Sequence, residues 1–140
     1  MNRDAQLARL RDEPNWDVAV IGGDATGRGV ALTQPPGEHL YGTDAAALRA
    51  LPGADDWLWR EGGVGFSVAM VRFAARVGMA RSVEDVLARR CRLLFLDARR
   101  AAALADPVAA PLQEELGAGF DAAASAQAFK ALAAHYLELP

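Results

Sequence analysis

The sequence predicts a mainly α chain: a compact helical domain over residues 43–140, preceded by a vestigial N-terminal βα unit. Three observations carry that prediction. First, alanine is abundant and fourteen of the fifteen basic residues are arginine, Lys130 being the exception, and both residue types favour helix. Second, apolar residues recur at helical spacing, in Phe66, Met70, Phe73 and Val77 and again in Phe129, Leu132, Ala133 and Tyr136. Third, a buried-strand pattern occurs at Val18, Val20 and Ile21, and one βα step cannot build a parallel sheet by itself.

The elements follow in order. Leu7 and Leu10 place one apolar face on a short amphipathic helix within NRDAQLARLR, which Glu13, Pro14 and Asn15 break. WDVAVIGGDATGRGVAL then runs from strand through glycines into a helix-competent stretch. TQPPGEHLYG, residues 33–42, reads as a linker because Pro35, Pro36 and Gly37 oppose regular structure. Thr43 can cap the helix DAAALRAL, and Pro52-Gly53 stop it. Glycines 62, 63 and 65 interrupt the chain after Trp57 and Trp59, and Asp55-Asp56 is a solvated turn or helix start. Residues 66–77 form the next helix, weakened at its end by Gly78. Ser82 and Asp85 fit a capping pair for VEDVLARRCR. LLFL, residues 93–96, fits either a short strand or a buried helical turn. Asp97 can cap ARRAAALA, and Asp106-Pro107 reads as another helix start, with Pro111 kinking that helix or delaying its onset. Gly117 ends it and Asp121 caps the last helix.

Composition restricts function. A chain of 140 residues with 52% hydrophobic and 24% charged residues has enough apolar material for a core. The net charge of −3 disfavours the whole molecule as a polyanion binder. Cys91 is the single cysteine, so no internal disulfide forms, and with only two histidines a Cys/His metal cage is not expected. There is no run long and apolar enough to cross a membrane and no signal-peptide pattern, so a cytoplasmic location is the expectation.

The candidate chemistry lies in VAVIGGDATGRG. In the dinucleotide fingerprint G-x-G-x-x-G, the first glycine makes the turn, the second lets backbone approach the pyrophosphate, and the third packs helix on strand. Gly22 and Gly27 occupy the first and third places as candidate cofactor-binding residues, but Asp24 occupies the second. Its side chain blocks the approach and its carboxylate repels phosphate. The acidic ribose ligand expected about twenty residues on is also missing. No catalytic residue and no metal ligand is assigned. The eight arginines in residues 72–100, opposed by Glu84, Asp85 and Asp97, give a local net charge of +5. They are expected to form ion pairs and helix C-terminal contacts rather than a nucleic-acid site. Cys91 is expected to be a packed thiol, and Trp57 and Trp59 to cover the core. Ser67, Ser82 and Ser125 lack a nucleophile-elbow context, and no ligand role is expected of His39 or His135.

Two stretches carry a resemblance. RLRDEPNWDVAVIGGDATGRGVAL, residues 9–32, resembles the N-terminus of the FAD-dependent glycerol-3-phosphate dehydrogenases. MARSVEDVLARRCRLLFLDARRAA, residues 79–102, is similar to a long motif of that family's C-terminal helical domain. HLYGTDAAALRALPGA, VAAPLQEELG and FKALAAHYLE resemble the same domain. Departures are Asp24 for glycine, Gly78 for glutamate and Cys91 for threonine. The resemblance implies a truncated FAD-binding (Rossmann) remnant over residues 1–32, a linker over 33–42 and the helical domain over 43–140. The long FAD and substrate domain that separates these parts in the family has no counterpart here. The family oxidises glycerol 3-phosphate to dihydroxyacetone phosphate and passes electrons to FAD and then to quinone, often at the inner face of the membrane. This chain is expected to bind no FAD and to lack turnover. The alternative is a stand-alone helical module that docks on another protein.

Overall fold

The computed structural model of the protein describes residues 36–138. The remnant read at residues 1–32, with Gly22, Asp24 and Gly27, lies outside the described residues. The described part is mainly helical, with a two-stranded antiparallel sheet, in agreement with the predicted class.

The chain enters through the segment read as a linker, and its described part is structured. A 3-10 stretch, Glu38–Asp44, puts Leu40 into the core, kinks at Gly42 (φ 51°) and continues into helix α1, Ala45–Arg49. Thr43 therefore does not cap α1. The N-cap position is Asp44, itself in helical conformation and making no side-chain cap bond, because one helical form passes directly into the other. Glu38 and Arg49 close this corner with two hydrogen bonds of 2.8 and 2.6 Å.

The Pro52-Gly53 stop does more than end α1. The carbonyl of Gly53 accepts from Ala69 N–H at 3.1 Å and that of Asp56 from Val68 N–H at 2.9 Å. The turn thereby satisfies two of the amides left over at the start of helix α2, Val68–Arg76. Between turn and helix lies a hairpin that the helical reading of this region missed. β1, Trp57–Glu61, pairs with β2, Val64–Ser67, in the register Trp59↔Phe66, Arg60↔Gly65 and Glu61↔Val64, with an irregularity between Trp57 and Trp59. Gly62 and Gly63 connect the strands at φ 56° and 83°. Two consecutive positive φ values are what a tight two-residue hairpin loop requires, and glycine adopts them without steric cost. Phe66 accordingly belongs to β2, and the helix starts two residues later than its stripe suggested.

The helix opened by Ser82 is capped as expected: Asp85 N–H donates to Ser82 Oγ at 3.1 Å and Arg81 N–H to the Asp85 carboxylate at 2.9 Å. Residues Asp85–Arg90 widen into a π-helical turn, and Arg92 adopts φ 58°. LLFL resolves as a helical turn, α3, Leu93–Leu96. Helix α4, Ala98–Ala103, is capped by Asp97 at 2.9 Å. Helix α5, Ala105–Leu116, begins one residue earlier than Asp106, with Leu104 at the N-cap. Asp106 therefore does not cap; Pro107 sits at the third helical position, where an absent N–H is still harmless. Gly117 ends α5 at φ 74°, and Asp121 caps helix α6, Ala122–Leu137, at 2.9 Å. Helix α5 packs on α2 and α6, and α6 also packs on α4. Phe66, Met70, Leu87, Leu93, Leu112 and Phe129 fill the space between them.

Candidate functional site

The polar side chains of the domain are largely engaged with one another. Glu115, on the face of α5 turned to α2, has only 9% of its side chain exposed and accepts from Arg72 at 2.7 Å and from Arg76 at 2.7 and 2.8 Å. Arg72, 17% exposed, also reaches Glu114 at 2.5 Å. Hydrogen bonding to Arg76, and then to Arg72, holds the Glu115 carboxyl below the usual glutamate range against the opposing effect of its burial. A carboxylate so held is an anchor and not a proton donor near neutral pH.

A second arginine ties the hairpin to the helices. Arg100 on α4 lies 4.4 Å over the Trp59 ring, pairs with Glu61 at 3.0 Å and approaches Asp97 at 3.5 Å. Trp59 packs against the core, whereas Trp57 is exposed, with Arg60 4.7 Å over its ring. The two tryptophans thus divide the role expected of both. Arg89 pairs with Glu84 and Asp85, and Arg90 donates to the Gly78 carbonyl beyond the end of α2. Arg72, Arg76, Arg89 and Arg100 thus form ion pairs and Arg90 a helix C-terminal contact, as the acidic neighbours suggested. Arg92 lies 5.6 Å over the Phe95 ring.

Cys91 is buried, and burial pushes its thiol up to about 12, well outside the range of a working nucleophile. Ser82 and Ser125 are occupied by structure: Ser125 Oγ on α6 accepts from Val83 N–H at 3.0 Å, so one helix caps another. Among the described residues, no three His, Cys, Asp or Glu side chains are grouped to hold a metal ion, and no helix is long and apolar enough to cross a membrane.

The described surface also exposes large apolar side chains. Phe95 and Leu96 of α3 are 53% and 40% exposed, and Tyr136 and Leu137 at the end of α6 are 37% and 47% exposed. The Phe95 and Tyr136 rings meet edge to face with centroids 5.7 Å apart. The helical apolar face Phe129, Leu132, Ala133 and Tyr136 is covered at Phe129 and Ala133, with Leu132 packed against the core and Ala126 added, whereas Tyr136 is exposed and meets Phe95. No signal in the local sequence distinguishes these positions, because apolar spacing marks a covered face without saying what covers it.

These features define a small helical domain braced by part-buried ion pairs, with exposed apolar side chains and, among the described residues, no assembled acid–base or nucleophilic group. The profile of the C-terminal domain of alpha-glycerophosphate oxidase matches residues 37–123, more than half of the chain. The chain belongs to that family, which supports the resemblance to the glycerol-3-phosphate dehydrogenases. Comparison with curated proteins and with solved structures gave no significant match.

Proposed function

We propose that this chain is a truncated relative of the FAD-dependent glycerol-3-phosphate dehydrogenases that keeps the helical domain and has lost turnover. In this reading residues 1–32 are a fingerprint remnant, 33–42 join it to the rest, and 43–140 are the helical domain. The observation that carries the reading is the family match over residues 37–123, set beside the chemistry of the matched domain. Its carboxylate Glu115 is held ionised by two arginines and its thiol stays protonated, so neither is poised as a general base toward a substrate.

FAD does not fit the described residues. A dinucleotide needs a glycine turn opening a helix immediately after a strand. The described glycines with positive φ instead lie in the kink at Gly42, the stop at Gly53, the hairpin loop at Gly62 and Gly63, and the helix end at Gly117. The strand-to-helix passage at Ser67 carries no glycine turn, and its amides are already used by Gly53 and Asp56. The remaining candidates, Gly22 and Gly27, are compromised by Asp24.

A dye-reduction assay with glycerol 3-phosphate tests the proposal. The expected rate equals that of the blank. Turnover above the blank, abolished by a substitution in this chain, contradicts it. A second reading, a helical module that docks on another protein, is favoured specifically by the exposed Phe95, Leu96, Tyr136 and Leu137. Co-purification of one defined partner, lost on Phe95→Asp, supports that reading.

A further inference from the structure

We infer that residues 85–96 form a two-state conformational element whose register is set at position 91. While the side chain there donates to the Leu87 carbonyl, the helical turn stays in its π form; without that donor it reverts to α and moves Phe95. The destinations of the amides carry the argument. Val86 N–H donates to the Ser82 carbonyl at 3.4 Å, the i→i−4 spacing of an α-helix. Cys91 N–H donates to the Val86 carbonyl at 3.0 Å, one residue further back than that spacing. The helix therefore takes in one extra residue between these two bonds. In an α-helix the Cys91 amide would serve Leu87 instead. Leu87 is fully buried, so solvent cannot serve its carbonyl. The Cys91 thiol does so, with Sγ 3.6 Å from the Leu87 oxygen. A thiol is a weak donor, but a buried carbonyl left unpaired is costly.

The Leu87 carbonyl thus has two alternative donors, and each belongs to a different register. In the π form both carbonyls are served, Val86 by the Cys91 amide and Leu87 by the thiol. Once position 91 lacks a side-chain donor, the π form strands the Leu87 carbonyl. The α form instead pairs Leu87 with the Cys91 amide and Val86 with that of Arg90. The π form also carries a second cost, which favours release. Arg92 adopts φ 58°, a left-handed conformation that residues with a Cβ disfavour. Reversion to α passes one residue into the connection at 91–92 and frees Arg92 from that conformation. The consequence falls on α3. Leu93 and Leu94 anchor it in the core, Arg92 lies 5.6 Å over the Phe95 ring, and Phe95 meets Tyr136 with centroids 5.7 Å apart. One more residue in the connection re-aims Arg92 and shifts Phe95 away from Tyr136.

Nuclear magnetic resonance couplings transmitted across hydrogen bonds read the register directly, because the amide of residue 91 couples to the carbonyl carbon that accepts from it. The full chain is compared with two pairs of variants closely matched in size, Cys91→Thr with Cys91→Val and Cys91→Ser with Cys91→Ala. The first member of each pair keeps a donor, and a threonine hydroxyl readily bonds the i−4 carbonyl in a helix. The second member has none. Wild type, Cys91→Thr and Cys91→Ser are expected to couple position 91 to Val86. Cys91→Val and Cys91→Ala are expected to shift the coupling to Leu87 and to lose the nuclear Overhauser contacts between the Phe95 and Tyr136 rings. The smaller pair decides the matter where Cys91→Val fails to fold. Three results would overturn the inference: coupling to Leu87 in the wild type, the same acceptor in both members of a pair, or a shift to Leu87 that leaves the Phe95–Tyr136 contact intact.

Discussion

Glu115→Gln removes the charge at the centre of the brace between α2 and α5 while preserving its shape. The cost follows from position. Exposed ion pairs contribute about 0–1 kcal/mol, whereas removing one partner of a fully buried pair costs about 3–5 kcal/mol. Glu115 is 9% exposed and Arg72 17%, but Arg76 is 46% exposed and its share is screened by solvent. An intermediate loss of about 2 kcal/mol results, most of it from leaving Arg72 with Glu114 alone. For a domain of this size that lowers Tm by roughly 8–15 °C at pH 7. The pH dependence has a definite sign. The folded-state carboxyl titrates below its unfolded value of about 4.3. The stabilisation is therefore complete above the unfolded value and is lost as pH falls through the folded one. Thermal unfolding followed by circular dichroism should show wild type and variant well separated at pH 7 and converging below about pH 4. Equal Tm values at pH 7, or a gap that survives acidification, would refute the assignment of Glu115 as a charged brace.

Other substitutions probe the rest of the framework. Gly53→Ala should destabilise by about 2–3 kcal/mol in urea titration, because position 53 has φ +84° and an added Cβ would lie 2.7 Å from the Val68 side chain; an unchanged midpoint would contradict the role of this turn in starting α2. The Cys91 thiol should resist a disulfide reagent at pH 8 in the native protein and react fully in denaturant, and rapid native labelling would show that the site is not closed. Residues 37–140 expressed without the preceding segment should give a helical circular dichroism spectrum with a cooperative melt, whereas a random-coil spectrum would show that the domain depends on its N-terminus. A start at Thr43 would delete Leu40 and the Glu38–Arg49 pair, so that shorter fragment should melt at a lower temperature.

Much of the helical framework was legible because its signals are local. Asp97 and Asp121 cap where they were expected to, Ser82 and Asp85 cap as a pair, and Gly117 terminates α5, since each acts through an amide or a φ value within a few residues. Thr43 and Asp106 failed for a shared reason. Each lies next to an existing helical stretch that continues through it, so no free helix start remains to cap. The hairpin was also written locally, in two aromatic residues followed by Gly62-Gly63, but the surrounding alanine-rich helices obscured it. LLFL needed tertiary information: Leu93 and Leu94 are buried while Phe95 and Leu96 are exposed, a division that four consecutive apolar residues cannot disclose. The candidate site was legible only as ancestry. The fingerprint residues Gly22, Asp24 and Gly27 lie outside the described residues, and the charged side chains of the matched domain that the structure describes are largely engaged in ion pairs.

The proposal at the centre of the account is that this family's helical domain is retained here without a working flavin site. Flavin content of the purified chain, and of Asp24→Gly, tests it most directly. The substitution removes the steric block and the repulsive carboxylate at the pyrophosphate position. On the proposed reading it restores one contact among the many that a dinucleotide needs, and a single repaired contact cannot offset the entropy of ordering a large ligand. Both proteins should elute from gel filtration without absorbance near the flavin maximum after incubation with FAD. Stoichiometric flavin absorbance travelling with either protein would contradict the account.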